Sequence, residues 1–475
     1  MGRRCTTCAV PTFEERSGSR DRALILLLAL VAAFAAAFAY SSPAQGRERM
    51  ITVETKGPGP SEFDLTEVHQ FGPAKPEQVL VLMPGTAGGA GDFTLVAREL
   101  VDRVPGLAVW ALDRRSQVLE DTSVFEAALA GDATLQEMFD HYLGWITNGG
   151  TPADHFEFLD AATVPFAQRW GMKVALQDAR KVVRVARRGG AEVLLGGHSL
   201  GASLTAAYAA WDFRGKAGFE QLDGIVLIDG GLLGSFDAFT EEEAAAQLET
   251  LDEEPFLDLL GTGIPEAAGL FAETGGIFAK LAPTADAGVL QDYPLLPADF
   301  KPPVPATTRA LLAYAFDRDT SPDGLALLHV NGGGLAAAGD PRDWSDGGIT
   351  PVANIAETFG QEPANAVEWY FPRRLTIDTN GANAMRQNGV AELLGLRLEH
   401  TREIDVPIYA FQTDLTDGGV LRGANNLVDR AKTKRRESML VEGAPQASHL
   451  DPLTAAPEGN EFLRTVARFI RNKTR

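Results

Sequence analysis

Cysteine is nearly absent. The 475 residues hold two, Cys5 and Cys8, so disulfides cannot organise the body of the chain. Their C-x-x-C spacing is one that redox and metal sites use, but both precede the long apolar run described below. Basic charge is also scarce: 43 Lys and Arg stand against 64 Asp and Glu, a net charge of −21. The five Arg and three acids of residues 1–39 sum to +2, so the remainder carries −23. A body this acidic repels nucleic acid and anionic lipid surfaces. Low-complexity tracts and internal repeats are missing. Gly and Pro, 49 and 27 residues, exceed the usual share only modestly, which excludes a collagen or a disordered tail and implies many loops. No His, Cys and carboxylate cluster at ligand spacing appears, so neither a catalytic metal nor a cofactor is expected.

What is present begins at the N-terminus. Ala23–Tyr40 is an apolar run of 18 residues behind Arg20 and Arg22. Ala37-Phe38-Ala39 is a small-x-small cleavage pattern, and Ser41-Ser42-Pro43 breaks a helix. This reads as a secretory signal peptide over 1–44. The run also reaches transmembrane length, so an uncleaved signal anchor is the alternative and the one route to a membrane. In both cases the basic flank stays inside and the body is exported, secreted or held in the cell envelope. A body without cysteine needs a large core, which about 430 residues can supply.

Strands are expected at 51–56, 66–71, Gln78–Met83, Leu107–Leu112, Ala191–Leu195 and Asp223–Ile228. Helical spacing follows the third strand at Phe93, Val96, Ala97 and Leu100, with Asp92 as its expected cap. It recurs over Met172–Arg188 and Leu200–Trp211. Residues 117–165 hold at least one further helical stretch. This alternation is the pattern of a parallel sheet with helices on both faces. It stops near 233 and resumes with Pro407–Gln412, a helix near 421–433, Ser438–Val441 and a last helix over 459–472. The chain therefore divides into a leader (1–44), a first core part (45–232), an insertion (233–402) and a second core part (403–475). Within the insertion, Thr240 before Glu241, Glu242 and Glu243 looks like a helix cap, and the glycine triplet 332–334 and Asp346-Gly347-Gly348 look like loops.

Gly197-His198-Ser199-Leu200-Gly201 matches G-x-S-x-G, with a strand running in and a helix running out. That context puts a serine on a strained strand-to-helix turn, with its hydroxyl projecting from the sheet edge. Ser199 is the candidate nucleophile. A serine needs a base. Of the seven His, His449 lies in a loop between the last strand and the last helix, at the carboxyl edge where Ser199 also belongs. His198, inside the turn, points away and packs. The acid should lie between Ser and His in chain order. Asp417 is ranked first, then Asp414, both after the strand Pro407–Gln412, with Asp229 at the end of Asp223–Ile228 third. Two oxyanion donors are expected, the N–H of Leu200 and that of Thr86 or Ala87 in the loop that opens with Pro84-Gly85. That glycine-rich loop lacks the Lys of a P-loop and the order of a dinucleotide fingerprint.

The segments Met83–Thr86, Gly197–Gly201, 413–419 and the His449 loop together resemble the α/β-hydrolase family, over roughly 50–232 and 403–475. The resemblance implies a mostly parallel sheet of about eight strands and Ser-His-Asp acyl transfer. It implies that 233–402, after the sixth strand, is a mainly helical cap. The sequence departs from the family's Gly-x-x-Asp acid motif: Thr413 takes the Gly place and Asp417 lies one residue late. Phe271, Leu311, Leu312, Phe316, Trp369 and Tyr370 in the insertion line an acyl pocket or form the cap's own core. Arg373-Arg374 holds a substrate carboxylate or forms surface ion pairs. The expected function is an exported esterase or lipase acting on a small-molecule or lipid-like ester. An envelope acyltransferase or peptidase with the same triad, and a non-catalytic binding protein on the same fold, are the alternatives.

Overall fold

The computed structural model describes residues 48–148, 155–237 and 239–472. The leader and both cysteines lie outside the described residues. Ten strands are described: β1 (Arg49–Glu54), β2 (Leu65–Phe71), β3 (Gln78–Met83), β4 (Leu107–Leu112), β5 (Glu192–His198), β6 (Gly224–Ile228), β7 (Gly333–Gly339), β8 (Arg342–Asp346), β9 (Ile408–Gln412) and β10 (Met439–Glu442). Eight form one sheet in the order β1-β2-β4-β3-β5-β6-β9-β10, and β7 and β8 form a separate hairpin. β2 pairs antiparallel with both neighbours, and every other pairing in the large sheet is parallel.

The central strands are apolar because both faces are covered. Along β3, Val79, Val81 and Met83 join the core beneath helices Met172–Arg187, Leu200–Ala210 and Gly419–Arg430. Leu80 and Leu82 join the opposite core, beneath helices Thr94–Arg103 and Glu461–Arg471. The period-two alternation of strand side chains thus builds two cores from one short run. Helix Leu200–Ala210 is buried along its whole length. Its small residues (LGASLTAAYAA) let it lie close on the sheet.

Two local expectations change. A single 3₁₀ turn, Ala90–Phe93, precedes helix Thr94–Arg103, so Asp92 sits inside the turn and caps nothing. The insertion holds the β7–β8 hairpin where the sequence suggested loops. Its first strand, GGLAAAG, has neither alternation nor β-branched residues to betray it. Thr240 does cap helix Glu241–Glu249, in a reciprocal box with Glu243. The segment between β6 and β9 also holds helices Ala267–Leu281, Thr308–Phe316 and Val352–Phe359.

A third, aromatic core joins this segment to residues 123–170, with Phe125 stacked on Tyr142 and Trp369 edge-on to both. Glu273 is fully buried there and accepts from Trp369 Nε1 at 2.9 Å. Burial pushes its carboxyl up to about 8, against a free value of 4.5. The folded state therefore keeps a proton that the unfolded chain loses above about pH 4.5. The stability this contributes is complete at low pH and is lost as pH rises through about 8. The melting temperature of Glu273→Gln is predicted to fall less than that of the parent between pH 5 and 8.5. Parallel curves would contradict the assignment.

Candidate active site

β5 ends at His198, and Ser199 turns the chain with φ 55° and ψ −123°, a conformation L-residues avoid. The flanking glycines are required by contact. A Cβ on Gly201 would meet the Met83 carbonyl at 2.0 Å, and one on Gly197 would meet the Gly201 carbonyl carbon at 2.3 Å. Gly230 approaches the Ser199 carbonyl as closely, a Cβ there lying 2.0 Å from it. Helix Leu200–Ala210 thus starts directly against β3 and β6, and Ser199 sits at the carboxyl edge of the sheet.

His449 stands at the same edge. Its Nδ1 lies 2.5 Å from Asp229 Oδ2, and both side chains are buried. Asp229 leaves β6 with φ 45° and receives two further bonds from Thr413, from the amide at 2.7 Å and from the hydroxyl. Burial works to raise the Asp229 carboxyl. The bond and charge of His449 and the two Thr413 donors outweigh it and hold the group below the usual range. His198 is buried beside His449, and its Nε2 donates to the His449 carbonyl at 2.9 Å. Burial, reinforced by His449, drives the His198 imidazole down to about 3, so it is a neutral strut. Asp451 pins the same loop. It accepts from the Ser448 amide at 2.6 Å and, from the segment between β6 and β9, from Asn331 N at 3.0 Å and Thr350 Oγ1 at 2.6 Å.

The ranking of acids is corrected here. Asp417 is exposed, in the turn before helix Gly419–Arg430. Asp414 is exposed and holds Ser448 Oγ at 3.0 Å and Arg318 at 3.5 Å, not the imidazole. The carboxylate on His449 is that of Asp229, one strand nearer Ser199. β9 instead delivers Thr413, at the family's glycine position, as a donor to that carboxylate.

Gly85 packs on the serine: a Cβ there would lie 3.1 Å from Ser199 Cβ. Among the described residues, the N–H groups of Thr86, Ala87 and Leu200 have no protein acceptor. The loop's carbonyls are drawn the other way by Arg114, which follows β4. Its guanidinium donates to Pro84 O, to Gly85 O at 2.8 Å and to Gly88 O at 3.1 Å, and pairs with buried Glu368. Glu368 N in turn donates to Ala87 O, and Gly89 N to Ala366 O, both at 2.9 Å. Residues 366–368 therefore brace the loop as a short antiparallel bridge. Neither Arg114 nor Glu368 belongs to a motif. The visible signal was Asp113-Arg114-Arg115, three charges ending an apolar strand.

Ser199, His198, His449 and Thr86 open into one cavity. Leu259, Leu260, Phe271, Leu311, Leu312 and Phe316 of the segment after β6 line it. Trp369 and Tyr370 belong to the aromatic core instead. Arg374 pairs with Asp378 at 2.7 Å and Arg373 pairs with Glu254, away from the cavity.

No family profile and no curated protein matches the sequence. Solved structures do match by fold. A candidate lipase from Sulfolobus solfataricus aligns with TM-score 0.50 and 14% identity, over 90% of this chain and 95% of that one. The chain has the α/β-hydrolase fold. Further matches include an epoxide hydrolase from an endophytic Streptomyces (TM-score 0.44, 11% identity, 90% and 96% of the two chains). An esterase from Thermogutta terrifontis is another (0.37, 12%, 90% and 99%). At these identities the likeness is one of fold alone, and the chemistry rests on the hydrolase-fold residues above.

Asp229→Asn is predicted to slow labelling of Ser199 by a fluorophosphonate about 10³- to 10⁴-fold, because the imidazole loses its orienting charge. Asp417→Asn and Asp414→Asn should stay within about twofold of the parent. The reverse ranking would restore the acid expected from sequence.

Proposed function

We propose that this chain is an exported serine hydrolase that cleaves carboxylic esters with a large lipophilic part. The observation that carries the reading is the 2.5 Å bond from Asp229 to His449 at the edge of an apolar cavity that also holds Ser199. With Nδ1 tied to Asp229, Nε2 is the nitrogen free to take the Ser199 proton as its oxygen attacks the ester carbonyl. The developing oxyanion is met by the N–H groups of Thr86 and Leu200. His449 returns the proton to the leaving alcohol, then activates water against the acyl-enzyme. Arg114 takes no part in proton transfer. It holds the loop carbonyls back so that the amides face the reacting oxygen.

The cavity argues for the substrate class. Its walls are largely aliphatic and aromatic, formed by side chains such as Leu259, Leu260, Phe271, Leu311, Leu312 and Phe316. The leader pattern Arg20–Pro43 supports export. No helix among the described residues is long and apolar enough to cross a membrane.

Ser199→Ala is expected to abolish p-nitrophenyl ester hydrolysis while leaving the melting temperature within a few degrees. Retained turnover would refute the reading. In the parent, kcat/KM is predicted to rise from acetate to decanoate, up to about fourfold per methylene, following the transfer free energy of ~0.8 kcal/mol per CH₂. A profile that peaks at acetate would exclude the lipophilic class. Arg114→Gln should lower kcat about 10²-fold with KM changed only severalfold, the pattern of a lost transition-state contact.

A further inference from the structure

Asp92 lines the cavity, and the proposed reaction does not use it. Asp92 is 9% exposed. The Asp92 carboxyl accepts no hydrogen bond among the described residues, and the cation facing it, Arg114, is committed to Glu368 and three carbonyls. Buried polar groups are nearly always satisfied, because leaving one unpaired costs free energy comparable to a lost hydrogen bond. The Asp92 carboxyl, facing an apolar cavity with no protein hydrogen-bond donor, therefore calls for a ligand group that completes it.

Position narrows what that group is. Asp92 belongs to the turn that follows the oxyanion loop. Its Oδ2 lies against Gly88, 2.3 Å from where a Cβ would stand. Gly85, three residues earlier, packs on Ser199. The carboxyl is thus at the catalytic end of the cavity, and a substrate group meeting it lies close to the scissile carbonyl. Burial, opposed by Arg114 and reinforced by Asp113, pushes the Asp92 carboxyl well above the usual range. The neutral acid that results both donates and accepts, which suits a hydroxyl.

We propose, building on the hydrolase reading above, that Asp92 forms a hydrogen-bonding subsite that selects lipophilic esters carrying a hydroxyl near the scissile carbonyl. A site built to bond a substrate hydroxyl rejects the analogue lacking it far more strongly than an apolar pocket rejects a missing methylene.

The test compares the p-nitrophenyl esters of decanoate, 2-hydroxydecanoate, 3-hydroxydecanoate and 3-aminodecanoate on the full chain. The parent should favour at least one hydroxy ester over decanoate by about tenfold or more in kcat/KM. Asp92→Leu should erase that ratio and Asp92→Asn should keep part of it. Equal rates for decanoate and both hydroxy esters, or a ratio unmoved by Asp92→Leu, would overturn the subsite. A preference for the amino ester would also overturn it, since the carboxylate would then act as a counter-ion. Failure of the hydrolase reading shows separately, as absent fluorophosphonate labelling of Ser199. In that event the subsite is read on Ser199→Ala by thermal shift, where 1,3-decanediol should stabilise more than 1-decanol. Equal shifts would refute it.

Discussion

Helix Leu200–Ala210 can leave β5 at Ser199 only because three glycines let backbones touch. Gly201 lies on the Met83 carbonyl, Gly197 on Gly201, and Gly230 on the Ser199 carbonyl. Any side chain at these points would push β3, β5 and β6 apart where the reacting groups must converge. The strain at Ser199 is sustained by the surrounding sheet, whose central strands are buried on both faces. From that contact follow the projection of the serine, the place of its neighbouring amide, and the proximity of the loop after β3.

The remaining site is braced from two directions. Arg114 behind the loop after β3 and His198 behind the His449 loop are buried struts. The segment between β6 and β9 reaches both loops. Residues 366–368 bridge the first, and Asn331 and Thr350 reach the second through Asp451. The segment that lines the cavity thus also sets the position of the loop after β3 and of the His449 loop. Changes there to suit another substrate would act on rate as well as on binding.

Much of the fold was legible in the amino acids because its signals are local. Apolar runs such as Gln78–Met83 and Leu107–Leu112 appear as strands at those same residues. The G-x-S-x-G turn carries its own steric logic. The β7–β8 hairpin was not legible, because an alanine and glycine strand has no pattern to distinguish it from a loop. Asp92 was misread as a cap because one extra turn of 3₁₀ helix cannot be seen in spacing.

The sequence by itself determined the alternation of strands and helices, the serine on its turn and the histidine loop at the same edge. Each depends on residues a few positions apart, where periodicity and steric demand are written directly. Only the tertiary structure decided which acid meets His449. Asp229, Asp414 and Asp417 all end or follow strands of one sheet. The choice turns on β6 lying beside β5, and on Thr413 arriving across the sheet to complete the bonds of Asp229. The same holds for Arg114. What each carboxylate or guanidinium does is set by partners up to 254 residues away, and no local pattern encodes such a partner.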